Sequence, residues 1–272
     1  MDEILKILFT GNNLASKIDV IKRVKEKYPN QFLVVLESKN MPNNIIYEEY
    51  WQNFDAVFFF DNNHLDNENV LKWLGHNHFR FFNTSLLDDE LYGAVVAELE
   101  CLVNNIELER KLLIKLPNIE LLLSKYPVYK THIEQTYLNC PKGTHRIRKR
   151  LSNDIVSYFE TIKIRLTNSK CVESENIIDS DMYNLLMKEK DETKDTIIKD
   201  RYYILYEGNR FELDIYEFWN DQATVELEIP NENYIFNLPP EFELIKDVSD
   251  DYMYKNKYLA GLSYENSETN LL

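Results

Sequence analysis

The chain has 272 residues, a formal net charge of −15 and a hydrophobic fraction of 44%. This length exceeds the commonest single-domain size and fits two modest domains. The acidic balance argues against a protein that coats DNA or a membrane surface, although an acidic exterior can still enclose a basic cavity. No stretch reaches membrane-spanning length, and no basic segment followed by a long apolar run opens the chain, so we expect a cytoplasmic protein.

Residues 1–104 alternate short apolar runs with helical patterns. Four runs have the character of buried strands, at residues 4–11, 32–37, 55–61 and 79–84. Four segments have helical patterns, near 15–28, 44–53, 66–75 and 87–103, with Asp66 and Ser85 as candidate caps. A strand followed by a helix, repeated four times, predicts an α/β domain with a small parallel sheet covered by helices. The short junction at residues 104–105 predicts that this domain packs closely against the rest of the chain.

The first predicted strand ends in Gly11, where a Walker A phosphate loop would connect a strand to a helix. The working motif, G-x-x-x-x-G-K-[ST], needs its second glycine for close approach to phosphate and its hydroxyl for Mg²⁺. Here Ser16 replaces that glycine and Ile18 replaces the hydroxyl residue, so that Gly11 and Lys17 are what remains of the motif. We interpret the segment as a structural remnant, with nucleotide-phosphate transfer as the alternative.

From Ile106 onward the chain repeatedly places two or three charges at i, i+2 spacing, which in a β-strand puts them on one face. The charged residues are Glu107, Glu109, Lys111, Arg146, Arg148, Lys163, Arg165, Glu173, Glu175, Lys199, Arg201, Glu212, Asp214, Glu226 and Glu228. If these faces line a closed sheet, seven basic and eight acidic groups meet in one lumen. Metal ions would then bind the carboxylates, and a polyanion would bind the Lys and Arg groups.

A sheet with one solvated face also alternates polar and apolar residues, and this is the alternative interpretation. Solvated faces usually mix Thr, Ser, Gln and single charges, since like charges side by side destabilise a sheet. Seven successive segments with charge pairs therefore favour a functional lumen.

Residues 105–262 resemble the CYTH family, also called the triphosphate tunnel metalloenzymes. The segment IELERK matches the opening ExExK strand of that family through Glu107, Glu109 and Lys111. Later segments follow in the family's order: IEQTYL (133–138), RIR (146–148), TIK (161–163), VESEN (172–176), KDRY (199–202), FELDIY (211–216), VELEI (225–229) and YKNKYLA (254–260). Residues 1–104 resemble a shortened, degenerate form of the P-loop kinase-like domain that precedes the CYTH domain in some relatives, and WLGHNHFRFFNTS resembles its end.

The resemblance implies that residues 105–272 form an α+β domain containing an eight-stranded antiparallel β-barrel tunnel. It implies a small-molecule triphosphate as ligand and Mg²⁺ or Mn²⁺ as cofactor, and oxygen-only ligands without clustered Cys or His suit those ions. The metal ligands it implies are Glu107, Glu109, Glu226 and Glu228, with Glu212 and Asp214 as a further shell. The phosphate-binding residues it implies are Lys111, Arg146, Arg148, Lys163, Arg165, Lys199 and Arg201. Tyr137 and Lys199 match a Tyr-Lys pair that is thought to lie near the leaving phosphate in the tripolyphosphatase branch.

Several of these residues have structural alternatives. Glu107 or Glu226 can simply pair with a neighbouring Arg, and Arg165 fits an outer salt bridge as well as a ligand role. We expect Glu173 and Glu175 to hold basic side chains rather than metal. A tyrosine on a strand, such as Tyr137, is more often a packing residue.

The expected function is a metal-dependent triphosphatase that hydrolyses inorganic tripolyphosphate or a small organic triphosphate, with residues 1–104 as a scaffold. The first alternative is a class IV adenylate cyclase, which directs a ribose oxygen to the α-phosphate of ATP. The second is a non-catalytic sensor that binds polyphosphate or nucleotides.

Overall fold

The computed structural model describes residues 4–11, 13–29, 32–36, 54–61, 74–76, 78–167 and 170–269. Its N-terminal part contains a parallel sheet of order β2-β1-β3-β4. The strands are Leu5–Thr10 (β1), Phe32–Leu36 (β2), Ala56–Asp61 (β3) and Phe79–Asn83 (β4). The helices are Ile18–Lys27 (α1), which follows the 3-10 turn Leu14–Lys17, and Asp88–Val103 (α2). The predicted α/β character of this region is confirmed.

Two of the predicted helical segments lie almost wholly outside the described residues, and one predicted helix cap differs from the structure. The segments near 44–53 and 66–75, with the Asp66 cap, lie outside the described residues except for Leu74 and Gly75. The prediction that Ser85 caps the second described helix is wrong. Its amide donates to Asn83 Oδ1, and α2 begins three residues later, where the Glu90 carboxylate accepts from the Leu87 amide. An acidic group in the first turn satisfies an otherwise orphan N–H, so it replaces the expected serine cap.

The small parallel sheet is apolar on both faces. One face packs against the two helices through residues such as Phe58 and Phe60, together with Leu91 and Val95 of α2. The opposite face, which includes Phe59, packs against residues of the C-terminal sheet. Continuous apolar runs are what a parallel strand covered on both sides requires.

Eight strands of the described chain form a closed antiparallel barrel, as predicted. They are Ile106–Lys115 (β5), Val128–Tyr137 (β6), Thr144–Ser152 (β7), Ile155–Arg165 (β8), Lys170–Ile178 (β9), Ile197–Tyr206 (β10), Asn209–Tyr216 (β11) and Gln222–Glu228 (β12). The sheet order β12-β11-β10-β6-β7-β8-β9-β5 closes through pairing of β12 with β5. A further strand, Leu244–Asp247 (β13), pairs with the far end of β5, beyond the short stretch that pairs with β9.

Short helices and loops cover the outside and one end of the barrel. Ile119–Lys125 (α3) packs over the apolar outer faces of β10, β11 and β12, in a cluster that includes Leu122, Ile204 and Phe211. Ser180–Leu186 (α4) and the 3-10 turn Met187–Glu189 lie beside β8, and the turn Tyr252–Tyr254 precedes the last helix. That helix, Asn256–Thr269 (α5), packs Leu259 against Tyr137 at one end of the barrel. Among the described helices, none is long and apolar enough to cross a membrane.

The small sheet covers the other end of the barrel. Tyr129, Tyr203 and Leu205 of the barrel share one apolar cluster with residues of the small sheet, including Phe59 and Phe79. The predicted close packing of the two parts is therefore present. The division of the chain into domains at residues 1–104 and 105–272 stays a prediction, since the two parts share a core.

Candidate functional site

The barrel encloses a cavity of about 550 Å³ whose wall is dominated by charged side chains. Antiparallel strands send alternate residues inward, so the i, i+2 charges of the sequence all reach one interior. The predicted site residues that line the cavity are Glu107, Glu109, Lys111, Tyr137, Arg146, Arg148, Lys163, Arg165, Arg201, Glu212, Glu226 and Glu228. Lys199 and Asp214, which complete the predicted set, are only 2% and 0% exposed. The structure thus brings the set to one place inside the barrel.

One side of the cavity is basic. Arg146 and Arg148 lie on β7, and each contacts a carboxylate of β9. Arg148 Nη1 is 3.0 Å from Glu175 Oε2, and Arg146 Nη2 is 3.4 Å from Glu173 Oε1. These contacts agree with the expected role of Glu173 and Glu175 as holders of basic side chains, a role that stays a prediction.

The buried Nε of Arg146 has no hydrogen-bond partner among the residues that the structure describes. A buried donor of this kind is expected to bond to water or a ligand, because an unpaired buried polar group is destabilising. The basic side therefore has donor capacity left for an anion.

The opposite side of the cavity is acidic, and like charges face each other across neighbouring strands. Glu109 of β5 lies in register with Glu228 of β12, and Glu226 of β12 lies in register with Glu212 of β11. Directly opposed like charges on a sheet repel, so their retention needs nearby cations. Although burial opposes it, Lys111 and Arg201 hold the pKa of Glu226 well below its usual range.

A network of buried ion pairs centres on Arg201. Its Nε is 2.6 Å from Asp214 Oδ1 and its Nη2 is 2.6 Å from Glu226 Oε2, while Nη1 bonds to Glu212. Lys199 also bonds to Asp214. Burial and the neighbouring Arg201 guanidinium lower the pKa of Lys199 to about 8.

A second cluster joins β5, β8 and β9. Lys163 bonds to both Glu107 and Glu173. Cys171 Sγ lies 3.1 Å from Glu107 Oε2, and ligand atoms of Glu107, Cys171 and Glu173 all fall within 4.8 Å of one another. Burial raises the pKa of Glu107 well above its usual range. The expected oxygen-only donor set thus has a thiol beside it that sequence reasoning missed, because Cys171 stood alone in the sequence.

The structure places the proposed catalytic pair in separate contacts. The Tyr137 hydroxyl accepts from Gln135 Nε2 at 2.8 Å. Lys199 bonds to Asp214 and lies over the ring of Tyr216, with Nζ 5.6 Å from the ring centroid. The pairing of Tyr137 with Lys199 stays a prediction. Arg165 is exposed at the edge of the cavity, where both of its expected roles stay open.

Sequence reasoning also missed Arg80 and Arg150 in the cavity wall and Arg210 behind it. Arg150 and Arg210 continue the i, i+2 series that contain Arg148 and Glu212, so the periodicity itself was the available signal. Arg80 lies on β4 of the small sheet, and it reaches Glu228 in the barrel. No spacing in the sequence links residues from two different sheets.

No family model matches the chain, and no curated protein matches it. Among solved structures, the chain is similar to the inorganic triphosphatase NE1496, at 29% identity and a TM-score of 0.38, over 57% of this chain and 94% of that one. The PH1819 protein of Pyrococcus horikoshii is 20% identical with a TM-score of 0.37, over 61% and 88% of the two chains. HpAC1 from Hippeastrum, described as having a dominant triphosphatase activity, is 16% identical with a TM-score of 0.36, over 45% and 79%. These matches cover 57%, 61% and 45% of this chain, respectively.

Proposed function

We propose that the protein is a metal-dependent triphosphatase that hydrolyses inorganic tripolyphosphate or a small organic triphosphate inside the barrel. The observation that carries the proposal is one cavity lined both by arginines of β7 and by carboxylates of β5, β11 and β12 that lie in register with one another. A triphosphate with its divalent cation has the matching combination of charges. A purely structural sheet gains nothing from burying so many charges, since buried ion pairs are a weak source of stability.

The acidic side has the donors that Mg²⁺ or Mn²⁺ requires. The proposed ligands are Glu107, Glu109, Asp214, Glu226 and Glu228. The opposed pair Glu109 and Glu228 supports this assignment, because a cation between them would relieve their repulsion. Bound there, the ion would neutralise charge on phosphate oxygens and lower the pKa of an attacking water. Each proposed ligand except Glu109 and Glu107 bonds to an arginine, so metal binding competes with these internal pairs.

Basic side chains from several strands of the barrel would hold the phosphate chain. The proposed phosphate-binding residues are Lys111, Arg146, Arg148, Lys163, Arg165, Lys199 and Arg201. Among the described residues the buried Nε of Arg146 has no partner, which supports an anion beside β7. Guanidinium groups bind phosphate oxygens in bidentate fashion, which orients the chain for in-line attack by water.

Lys199 would donate a proton to the leaving phosphate, and Tyr137 would lie beside the phosphate chain. A pKa of about 8 keeps Lys199 largely protonated at neutral pH and still able to release its proton. For this role its ammonium must leave Asp214 and turn to the bridging oxygen.

Residues 1–104 would serve as a scaffold rather than as a second phosphate site. At Gly11 the backbone has φ of +122°, and an added Cβ would overlap the backbone of Phe60, so tight packing explains this glycine without a ligand. Lys17 Nζ is 2.6 Å from Asp88 Oδ1. The ammonium group that would bind a phosphate is therefore already paired with a carboxylate. Both contacts support the interpretation of this loop as a remnant.

Product analysis tests the proposal. Purified protein is incubated with tripolyphosphate or ATP in the presence of Mg²⁺ or Mn²⁺, and phosphate, pyrophosphate and cyclic AMP are measured. Released phosphate is the expected result. Cyclic AMP with pyrophosphate would indicate the cyclase, and tight binding without any product would indicate the sensor. Absence of turnover of every linear triphosphate with either metal over a broad pH range would end the hydrolase proposal.

A further inference from the structure

Arg80 is a charged contact from the small sheet to the acidic side of the cavity. Its Nη2 bonds to Glu228 Oε2, its Nε is 2.6 Å from Glu98 Oε2 of α2, and its Nη1 is 2.9 Å from the Phe79 carbonyl oxygen. The guanidinium is thus fixed at three of its donors. Its side chain is 18% exposed, so it borders the cavity without extending into solvent.

Glu228 is held between two arginines from different sheets. Oε2 bonds to Arg80, and Oε1 lies 3.6 Å from Arg210 Nη2. Arg210 in turn bonds to the His76 carbonyl oxygen of the N-terminal part and, at 2.9 Å, to Glu212 Oε1. Both oxygens of Glu228 therefore face a guanidinium, while its register neighbour Glu109 lies 3.3 Å from the ammonium of Lys255.

The two neighbouring carboxylates are consequently unequal toward a divalent cation. A cation that binds Glu228 must displace a charge-assisted hydrogen bond and approach two fixed positive groups. A cation that binds Glu109 displaces the 3.3 Å contact with Lys255. The apolar cluster shared by the two sheets packs β4 against β6 and β10 of the barrel, so Arg80 cannot move away at little cost.

Resting on the proposed function, we infer that Arg80 is a positioning residue that suppresses cation binding at Glu228 and so links the small sheet to the metal occupancy of the tunnel. A divalent cation binds first at Glu109. Occupation of Glu228 requires that Arg80 release it. The phosphate chain provides the alternative anionic partner for the released guanidinium.

Mn²⁺ binding to the full chain, measured by titration calorimetry without triphosphate, tests this inference. Arg80→Gln should raise Mn²⁺ affinity by about tenfold or add a second binding event, since a hydrogen bond between charged groups no longer opposes the ion. Arg80→Lys keeps a positive charge beside Glu228 and should bind Mn²⁺ as the unmodified protein does. The double variant Arg80→Gln/Glu228→Gln should lose the gain.

Two controls separate this effect from general electrostatics and from misfolding. Arg150→Gln removes another cavity arginine, one that contacts Glu175 at 3.2 Å, and it should change Mn²⁺ affinity by about twofold or less. Arg80→Gln leaves the buried Glu98 carboxylate without its arginine partner. The double variant Arg80→Gln/Glu98→Gln removes that carboxylate as well, and it should show the same gain in Mn²⁺ affinity as Arg80→Gln.

Equal Mn²⁺ binding in folded Arg80→Gln and in the unmodified protein would overturn the inference and leave the proposed function in place. An equal gain in Arg150→Gln would also overturn it, because the effect would then be a general loss of positive charge. Failure of the unmodified protein to bind Mn²⁺, with or without tripolyphosphate, would overturn the inference and the proposed function together.

Discussion

The small sheet and the barrel use the same strand periodicity for opposite purposes. In β3 the successive residues Phe58 and Phe59 are both buried, Phe58 against the helices and Phe59 against the barrel. In β10 the successive residues Arg201 and Tyr202 are also both buried, but the arginine faces a charged interior. A strand that is apolar on both faces specifies a layer in a packed core. A strand that is charged on one buried face lines a polar cavity.

The energetics of the two regions differ accordingly. Burial of phenylalanine in the small sheet stabilises the fold by roughly 1.5–3 kcal/mol for each ring. The buried ion pairs of the barrel contribute little net stability, because desolvation offsets most of their attraction. The outer apolar cluster around Phe211 and the two covered ends must therefore hold the barrel closed around its charges.

The largest expected effect is the loss of activity on removal of metal, which should affect the charged barrel and leave the apolar core unchanged. Removal of divalent cations with a chelator should abolish triphosphate turnover, because the acidic side would then repel the phosphate chain instead of neutralising it. Phosphate release before and after chelation, and after readdition of Mg²⁺ or Mn²⁺, measures this. The thermal unfolding midpoint should change little by comparison. Full turnover in the presence of excess chelator would contradict the proposed cofactor.

The next effect distinguishes the two sides of the cavity. Arg148→Ala and Glu228→Gln should each lower kcat/KM by about a hundredfold, or about 3 kcal/mol, since each removes a charged contact expected to strengthen in the transition state. Raised metal concentration should partly restore Glu228→Gln and should not restore Arg148→Ala. Steady-state rates across a Mn²⁺ titration show the difference. Near-normal turnover in both folded variants would place the site elsewhere.

A third prediction tests whether the regions form one cooperative unit. Phe58→Leu and Phe59→Leu should each lower the free energy of unfolding by on the order of 1 kcal/mol. Both should keep a single urea transition, because Phe59, Tyr129 and Tyr203 share a core across the two sheets. Fluorescence and circular dichroism followed in parallel report whether the transitions coincide. Separate transitions would support independent domains at 1–104 and 105–272.

The sequence was informative about the barrel because its signal is local. Charge at i, i+2 is a property of one strand, and it predicted which side chains of β7 and β12 face inward, including Arg148 and Glu226. The pairing of these side chains was not predictable, because register decides it. Glu228 lies opposite Glu109 and beside Arg80, and the latter contact depends on how two separate sheets pack.

The type of a single residue was the other limit on what could be predicted from the sequence. Cys171 gave no signal as a lone thiol, yet the pairing of β5 with β9 places it in register with Glu107. Ser85 was a reasonable helix cap by residue type, but α2 begins three residues later, at Asp88, with Leu87 as its N-cap. Local preference identifies candidates, and tertiary contacts select among them.

The smallest expected effect concerns the remnant phosphate loop. Lys17→Ala should leave triphosphate turnover and affinity within about twofold, a change below roughly 0.5 kcal/mol. Lys17 contacts Asp88 at 2.6 Å and the Leu86 carbonyl oxygen at 3.4 Å, so its loss removes a partly exposed ion pair and not a ligand contact. Ile18 follows it with a branched apolar side chain where a working loop needs a hydroxyl.

Lys22→Ala is the matched control, since Lys22 forms an exposed pair with Asp19 at 2.8 Å on the same helix region. The two variants should behave alike in turnover, in nucleotide binding and in thermal stability. A large loss of nucleotide binding in Lys17→Ala alone, with triphosphate turnover retained, would show that the small sheet has its own ligand site. The contrast between an apolar scaffold and a charged barrel proposed to hold the triphosphate would then no longer hold, because both regions would bind phosphate.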